Sequence, residues 1–422
     1  MRHPDSLSGG LSRRAWITTT SGVIAAGLVK TRFDAVDLLA QSPPPNDPTK
    51  VLGPPVSELG TRAPGENPRR ILRSTAPSSS SRTPIAELHG IITPSDLHFE
   101  RHHAGVPAID PHRYELLIHG MVERPTVFTL RDLKRFPSVS RIQFLECSGN
   151  SGGGGYDRNS VQTEVTPQQM DGLISTSEWT GVPMSTLLNE VGVRPGASWL
   201  MLEGGDAAMM NRSVPIEKAL DDGLIAYGQN GEAVRPEQGY PARAFFPGWE
   251  GNTSVKWIRR IEVTDQPVMS REETSKYTDP LKDGTARQFS FVMDAKSVIT
   301  FPTYPHALPD RGWWEIQGLA WSGRGRITSV EVSTDGGRSW AFAELQAPVL
   351  SKCTVRFRHL WNWNGRETLL ISRCTDETGY VQPTAAQLVE ARGTRSSYHA
   401  NHQRAWKVAR DGVVTYGLGE LL

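Results

Sequence analysis

The residue whose surroundings most suggest chemistry is Cys147. The segment from Phe144 to Asn150 passes from apolar residues through this cysteine into serine and glycine. This pattern predicts that Cys147 lies where a strand ends and a glycine-rich loop begins. A strand holds a side chain rigidly, and glycines beyond it let backbone N–H groups and a bulky ligand come close. Cys147 could therefore be a nucleophile, a metal ligand or an inert packing residue.

The sequence near Cys147 lacks the usual partners of a catalytic or zinc-binding cysteine. A papain-like nucleophile would need a partnering His and a local signature, and that signature is absent. A zinc site would need three or four ligands, and neither a second Cys nor a His-x3–5-His pair lies nearby. A single thiolate can still hold a soft metal if an organic cofactor supplies the remaining sulfur ligands. Packing and cofactor-assisted metal binding therefore both stay open.

Other segments carry residues that suit an anionic ligand. Leu97–His103 clusters one Arg with three His, although a solvated charged loop would have the same composition. Gly239–Trp257 combines Gly, Ser and cations, which can hold a phosphate by backbone donors and charge. Within it, Arg243 and Lys256 could equally form surface salt bridges. Further on, Tyr277 offers a phenol that could also pack in a linker.

These segments fall within a first domain of mixed structure. Between residue 91 and about residue 263, short apolar runs typical of strands alternate with helical stretches, which favours an irregular α+β domain. We expect Pro215 in the first turn of one helix. The predicted strands include Tyr114–Gly120 and Arg141–Glu146, and the predicted short helices are Leu130–Phe136 and Val214–Leu220.

Beyond about Gln288 the pattern changes to strands separated by turns. Gly312–Trp321 and Ile327–Ser333 alternate apolar and polar residues, and the second ends in an Asp-Gly-Gly turn signal. This pattern suggests a β-sandwich of the immunoglobulin type. Cys353 and Cys374 could lie on facing strands, and buried free thiols are favoured over a bridge.

The N-terminal residues predict an export signal followed by a linker. Arg13 and Arg14 precede a mildly apolar run from Ala15 to Val29, which favours a twin-arginine signal peptide over residues 1–40 and a periplasmic location. A disordered basic N-terminus is the alternative. Residues 41–90 are rich in Pro and Ser and predict an extended linker or a wrapping arm, because such a segment buries little apolar surface.

Composition excludes several classes of partner. The 422 residues include 46 Lys and Arg against 45 Asp and Glu, a net charge of +1, so no basic field exists to hold a nucleic acid. Three Cys cannot build a disulfide scaffold. After residue 30 nothing approaches the roughly 18 consecutive apolar residues of a membrane span, so none is expected.

The motifs together resemble those of the sulfite oxidase family of molybdopterin enzymes. The resemblance runs from Ile91 to Gly412, and three stretches (Leu88–Pro94, Ala226–Glu232 and Arg271–Tyr277) are similar to the molybdenum subunits of bacterial Sox sulfur-oxidation complexes. It implies an α+β fold, with a sulfite-oxidase-type molybdopterin domain at 91–285 and an immunoglobulin-like dimerisation domain at 286–415. The motifs that carry it are, in order, Phe-x-Arg-x-His from Phe99, Cys-x-Gly-Asn from Cys147, Gly-Tyr-Pro-x-Arg from Gly239, and Pro-Gly-x-x-Gly-x-x-x-Val-Lys-Trp from Pro247.

The resemblance implies a role for each matching residue. Cys147 would be the thiolate ligand of molybdenum, and the pterin dithiolene would complete the sulfur ligands. Arg101 and Tyr277 would be catalytic, Arg101 by binding an anionic sulfur oxide and Tyr277 by donating a hydrogen bond beside the metal. The residues expected to hold the pterin and its phosphate are Phe99, His103, Asp206, Gln238, Arg243, Ser254 and Lys256.

The chain departs from the family pattern at two places. Sulfite-oxidising relatives usually carry an Arg shortly after the metal-binding Cys, whereas Ser151 and Gly152–Gly155 stand here. Losing that cation should weaken binding of free sulfite and open the pocket, as a protein-bound substrate would require. Relatives also often have His where Gln238 stands, which puts that pterin contact in doubt.

The implied activity is molybdenum-dependent oxidation of reduced sulfur, either sulfane sulfur on a carrier protein or sulfite, by oxo transfer. No Cys-x-x-Cys-His motif occurs, so no haem is expected on this chain and a separate c-type cytochrome would accept the electrons. The family also implies a homodimer formed through the C-terminal domain. Alternatives are a free-sulfite dehydrogenase, a molybdopterin sulfoxide reductase, and a non-enzymatic exported β-sandwich binding protein.

Overall fold

The computed structural model describes residues 51–151, 162–394 and 398–417. The predicted signal peptide at 1–40 and the glycines at 152–155 lie outside these residues. The chain divides into two compact units, Met1–Gly65 and Glu66–Leu422. Residues 51–65 of the first unit contain turns and bends, and every strand and helix described below belongs to the second unit.

An N-terminal arm opens the second unit and is part of the fold. Strands β1 (Ile71–Ser74), β2 (Ser80–Arg82) and β3 (Glu100–Arg101) form an antiparallel sheet in which β2 pairs with both others. After β2, Thr83 and Ile85 are buried. The composition predicts an extended linker or a wrapping arm over residues 41–90, and from Ile71 the chain is an arm that pairs into a sheet. Pairing with a strand some twenty residues away orders the arm, and local composition does not report such pairing.

The first domain is built on two five-stranded sheets. One has the order β11-β10-β7-β6, with β12 added to β10, and the other has the order β5-β4-β13-β8-β9. Strands β4 and β13 run parallel and their neighbours antiparallel, so the domain is mixed, as predicted. The bounds are β4 Glu115–Gly120, β5 Thr126–Thr129, β6 Val139–Glu146, β7 Ile174–Pro183, β8 Trp199–Gly204, β9 Asn211–Pro215, β10 Leu224–Gln229, β11 Glu232–Ala233, β12 Arg243–Phe245 and β13 Ile258–Thr264.

The helices are short, and one prediction about them is wrong. Val214 still pairs with Leu200 in β9, so Pro215 precedes the helix instead of lying in its first turn. The other predicted helix begins at Leu130, where a Thr129 capping box starts it, and ends at Leu133. The bounds are α1 Leu130–Leu133, α2 Pro167–Asp171, α3 Met184–Val191, α4 Ile216–Asp221, α5 Arg271–Thr274 and α6 Ala385–Arg392, with 3-10 turns at Ser95–Leu97 and Pro236–Gln238. Among the described residues no helix is long and apolar enough to cross a membrane.

The second domain is a β-sandwich that follows a small hairpin. Its sheets have the orders β16-β17-β21-β20 and β19-β18-β22-β23-β24. Both strands predicted from alternation, Gly312–Trp321 and Ile327–Ser333, occur with those bounds. The bounds are β14 Asp279–Pro280, β15 Ala286–Arg287, β16 Lys296–Phe301, β17 Gly312–Trp321, β18 Ile327–Ser333, β19 Ala341–Phe342, β20 Glu344–Leu345, β21 Val355–Trp363, β22 Thr368–Asp376, β23 Ala405–Val408 and β24 Val414–Tyr416.

An apolar cluster shared by the two domains packs the second domain against the first. Each domain has its own apolar cluster, and a smaller cluster joins Phe144 and Ile174 of the first domain to Val298 and Trp321 of the second. Phe144 lies on β6, three residues before Cys147. The strand that leads to the cysteine therefore packs directly on the sandwich. Cys353 and Cys374 are buried free thiols, and burial raises the pKa of both.

Candidate active site

Cys147 follows the last residue of β6, as the sequence predicts. Its N–H donates to the carbonyl of Leu173 at 3.0 Å, and its own carbonyl accepts from Asn150 N–H at 2.8 Å. The Asn150 side chain then accepts from Leu173 N–H at 3.0 Å. These three bonds join the end of β6 to the segment before β7, so the cysteine is held on rigid backbone.

A glycine brings a second loop against the cysteine. Gly251 N–H donates to the Glu146 carbonyl at 2.6 Å. A Cβ atom at Gly251 would lie 2.8 Å from that oxygen and 3.5 Å from the Cys147 Cα, which is too close to the backbone oxygen for any side chain. The loop from Pro247 to Trp257 can therefore pass beside Cys147 only because residue 251 has no Cβ.

A cavity that is partly open to solvent lies beside Cys147. All ten residues that the sequence assigned to the site line it, so the structure brings together segments from five parts of the chain, and their individual roles stay predictions. The full lining is Phe99, Arg101, His102, His103, Leu145, Cys147, Asp206, Met210, Gln238, Arg243, Gly251, Asn252, Ser254, Val255, Lys256, Trp257 and Tyr277.

The cavity has more cationic than anionic side chains. Arg101, Arg243 and Lys256 line it, against one carboxylate, that of Asp206. Burial lowers the pKa of Lys256 well below its usual value, and the nearby charge of Arg243 lowers it further. Cations held in such a poorly solvated place would be stabilised by an anionic group that entered the cavity.

Lys256 is oriented by the His102 side chain and by two backbone oxygens. Its Nζ lies 2.7 Å from His102 Nδ1 and donates to the backbone oxygens of Arg101 and Glu237, each at 3.1 Å. On the other side of the ring, His102 Nε2 lies 2.6 Å from Glu100 Oε2. Because the ammonium can only donate, Nδ1 accepts and Nε2–H donates to the carboxylate. The lysine therefore occupies one fixed position at the cavity wall.

Three other residues predicted to hold the pterin, Gln238, Ser254 and Phe99, are linked to Arg243 by hydrogen bonds. Its Nη1 donates to the Gln238 carbonyl at 2.9 Å and its Nη2 to the Ser254 carbonyl at 2.8 Å, while its guanidinium lies over the Trp179 ring. The Gln238 side chain donates to the Phe99 carbonyl at 2.8 Å. The glutamine that replaces the family's usual histidine is thus a buried part of this wall.

Tyr277 and His103 meet on the wall of the cavity. The Tyr277 hydroxyl lies 3.0 Å from His103 Nε2. Burial raises the pKa of Tyr277, and the thiol of Cys147 acts in the same direction. The phenol is therefore protonated at neutral pH and able to donate a hydrogen bond.

The thiol itself fits a metal that brings its own ligands. Burial raises the pKa of Cys147, opposed by the Gly149 N–H and the charge of Arg101, so without a metal the sulfur keeps its proton. Within the described ranges no cluster of three or more His, Cys, Asp or Glu side chains could bind a metal. A metal at Cys147 would therefore need non-protein ligands, and the cationic walls suit an anionic organic group. These features fit the molybdopterin cofactor that the motifs imply.

Some residues that build the site have no local motif. His102 stands beside the predicted His103 and could have been included with it. Arg212 lies on β9, far along the chain from any motif, yet it reaches the loop beside Cys147, where its Nη2 donates to Glu250 Oε1 at 2.8 Å. Only the tertiary structure identifies it.

Two domain families match the chain. The model described as the oxidoreductase molybdopterin binding domain matches residues 103–272, and the model described as the Mo-co oxidoreductase dimerisation domain matches residues 287–404. The first match contains seven of the ten predicted site residues; Phe99, Arg101 and Tyr277 lie outside it.

Curated relatives and a solved structure extend these matches. The chain is 33% identical over 317 residues to inducible nitrate reductase [NADH] 2 of Glycine max and 31% identical over 350 residues to nitrate reductase [NADH] of Solanum lycopersicum. These matches cover 67% and 72% of this chain but 35% and 38% of the relatives, so the chain spans little more than a third of their length. The crystal structure of the sulfane dehydrogenase SoxCD from Paracoccus pantotrophus superposes with a TM-score of 0.80 and 45% identity, covering 89% of this chain and 99% of that one.

Proposed function

The chain belongs to the sulfite oxidase family of molybdopterin oxidoreductases, and from this membership we propose that it oxidises reduced sulfur carried on a partner protein. One observation carries the proposal: a single thiol on rigid backbone lies beside a cavity whose walls carry three cations and a protonated phenol. The alternative of a binding protein without catalysis does not agree with the family.

The protein's part in the reaction would be to hold the cofactor and the substrate. The molybdenum cofactor, when bound, supplies the two-electron redox change and the oxygen-atom transfer. Cys147 would ligate the metal, while Arg243 and Lys256 would neutralise the phosphate of the pterin. The seven residues assigned above to the pterin and its phosphate would form its binding surface.

Arg101 would bind the sulfur substrate. It lies on β3, where the arm strand β2 pairs with it, and its Nη1 donates to Ser78 Oγ at 3.3 Å. It lines the same cavity as Cys147, and its charge lowers the pKa of the Cys147 thiol against the effect of burial. A forked cation there would hold an anionic sulfur oxide and stabilise negative charge that develops during the transfer. Tyr277 would donate a hydrogen bond to an oxygen of the same sulfur oxide.

Two observations favour carrier-bound sulfur over free sulfite or nitrate. The chain covers 99% of a structure described as a sulfane dehydrogenase, at 45% identity, but only about a third of the nitrate reductases. The chain also has Ser151 and glycines where sulfite-oxidising relatives place a cation after the metal-binding cysteine. Without that cation a small free anion would be bound less tightly, and the site would be open to a substrate attached to a protein.

The remaining parts of the proposal follow from the family and the N-terminal sequence. We propose export to the periplasm by the twin-arginine route, a homodimer formed through the C-terminal domain, and a separate c-type cytochrome as electron acceptor. The dimerisation-domain match at 287–404 supports the dimer.

The test is a substrate comparison on the purified, metal-loaded protein with an artificial electron acceptor. We expect a carrier protein bearing a persulfide to be oxidised with a higher kcat/KM than free sulfite, and Cys147→Ser to abolish both reactions. Faster oxidation of free sulfite would identify a sulfite dehydrogenase instead. Reduction of nitrate or of a sulfoxide by a reduced donor, with no sulfur oxidation, would overturn the proposal.

A further inference from the structure

Tyr277 adopts an unusual backbone conformation and is held by its side chain. Its φ is +50°, in the left-handed region that non-glycine residues rarely occupy. Its hydroxyl bonds His103. Its ring contacts Tyr398, at 5.3 Å between centroids, and the guanidinium of Arg212, at 5.2 Å from the ring centroid. A strained residue held on several sides is one whose position matters.

Arg212 is a buried cation that has no role in the reaction proposed above. Its side chain is 1% exposed and does not line the cavity. Its Nη2 donates to Glu250 Oε1 at 2.8 Å and its Nη1 donates to Asn252 Oδ1, which hold the guanidinium plane. Its Nε lies 3.9 Å from Glu273 Oε1 and has no hydrogen-bond partner among the described residues. The bonds that fix Arg212 thus leave one face of the guanidinium against the Tyr277 ring.

The surroundings keep the carboxylate of Glu250, the partner of this arginine, ionised. The pKa of Glu250 is lowered overall: burial alone would raise it, but Arg212 and the His399 side chain, whose Nε2 is 3.4 Å from Glu250 Oε2, outweigh burial. Burying an ion pair gives little net stability compared with an apolar packing of the same volume. A buried pair therefore suggests a positional role, and the Tyr277 ring is the group that it contacts.

The same arginine reaches the loop after the cysteine. The Asn252 amide, which accepts from Arg212, donates to Ser148 Oγ at 3.0 Å. Arg212 is thus connected on one side to the Tyr277 ring and on the other to the residue that follows Cys147.

We infer that Arg212 is a positioning residue for Tyr277: its guanidinium, fixed by Glu250 and Asn252, holds the phenol ring so that the hydroxyl points at His103 and the cavity. The inference rests on the proposed function, in which the Tyr277 hydroxyl donates to the reacting group. Neither Arg212 nor its partners need touch the substrate.

The test is a double-mutant cycle of Arg212→Lys and Tyr277→Phe. Lysine keeps a charge beside Glu250 but loses the planar face, and phenylalanine keeps the ring but loses the hydroxyl. We expect Arg212→Lys to lower kcat about tenfold, about 1.4 kcal/mol of barrier, with KM changed less than about twofold. In the Tyr277→Phe background the same substitution should have no further effect. Additive losses in kcat would overturn the inference.

A second readout does not depend on turnover. In protein labelled with 3-fluorotyrosine, the 19F resonance of Tyr277 is assigned by its loss in Tyr277→Phe. We expect Arg212→Lys to shift or split that resonance and to leave that of Tyr114, whose hydroxyl bonds the Ile258 carbonyl, unchanged. An unchanged Tyr277 resonance would overturn the inference. If Arg212→Lys does not fold, Arg212→Met combined with Glu250→Met removes both charges and is measured in the same way.

The two readouts separate this inference from the proposed function. If Tyr277→Phe leaves turnover unchanged, the proposed role of the hydroxyl is wrong, while the fluorine resonance still decides whether Arg212 holds the ring. If Tyr277→Phe is slow but Arg212→Lys moves neither kcat nor the resonance, the proposed function stands and the inference is wrong.

Discussion

A buried ionic network behind Cys147 gives a prediction whose size can be worked out. Lys296, on the first strand of the sandwich, lies 3.2 Å from Glu146 Oε1 and 3.3 Å from Asp171 Oδ1, and Arg404 Nη2 lies 3.3 Å from the same Asp171 oxygen. All four side chains are at most 4% exposed. Two cations balance two carboxylates, so the network is neutral. It joins the sandwich to the residue that precedes Cys147.

Replacing Lys296 with Met removes one cation and leaves the buried network with a net charge of −1. Breaking a buried ion pair by removing one partner costs about 3–5 kcal/mol. The second compact unit has about 350 residues. At about 2.1 cal/mol/K per residue, its total entropy of unfolding is roughly 0.7 kcal/mol/K. We therefore expect the Tm of Lys296→Met to fall by about 4–7 °C.

The assay is thermal unfolding followed by circular dichroism, with two comparison variants. Lys282→Met removes an exposed ion pair with Glu390 and should leave the Tm unchanged. Lys296→Met combined with Glu146→Gln restores neutrality and should recover part of the lost Tm. The recovery is incomplete because the amide of Gln has one oxygen, whereas Trp321 Nε1 and Asn150 Nδ2 each donate to a different oxygen of Glu146. A fall of less than about 1 °C in the single variant, or no recovery in the double variant, would refute the reasoning.

Three further predictions concern pH and close packing. Burial lowers the pKa of His98 to about 3, so the unfolded chain takes up a proton at a higher pH than the folded chain. Between pH 6.5 and 5 we expect wild type to lose about 1.6 kcal/mol relative to His98→Phe, measured by urea unfolding. Burial lowers the pKa of His399, but the hydrogen bond and charge of Glu250 outweigh burial and raise it. The contribution of His399 to the free energy of unfolding is therefore fully present below about pH 6.5 and is lost as the pH rises through the raised pKa. The difference in unfolding free energy between wild type and His399→Gln should be larger at pH 6 than at pH 9, and an equal difference would contradict this. Gly251→Ala should cost about 1–3 kcal/mol and lower cofactor content, whereas Gly60→Ala, which has open space around it, should change neither.

The sequence was informative wherever chemistry and local pattern coincide. Alternation predicts both ends of the strand Gly312–Trp321, although its last four residues are all buried in the structure. Cys147 was placed at a strand end because apolar residues give way there to serine and glycine. The ten site residues, carried over from family motifs, all line one cavity, although Phe99 and Tyr277 lie far apart in the chain.

The sequence was uninformative wherever a long-range partner decides the structure. The arm from Ile71 has the composition of a linker, and only its pairing with the strand of Arg101 makes it a strand. Arg212 and Lys296 are single cations without a motif, so their buried carboxylate partners cannot be identified from spacing. Proline is common in the first turn of a helix, which predicts Pro215 inside the helix. In the structure Pro215 is instead the residue immediately before the helix.

The central claim is that the Cys147 sulfur binds molybdenum already held by an organic dithiolene. X-ray absorption at the molybdenum edge, on purified wild-type protein and on Cys147→Ser, counts the sulfur neighbours of the metal directly. We expect molybdenum in the wild type and one sulfur neighbour fewer in the variant. A wild-type protein without molybdenum, or a variant with the same number of sulfur neighbours, would contradict the account.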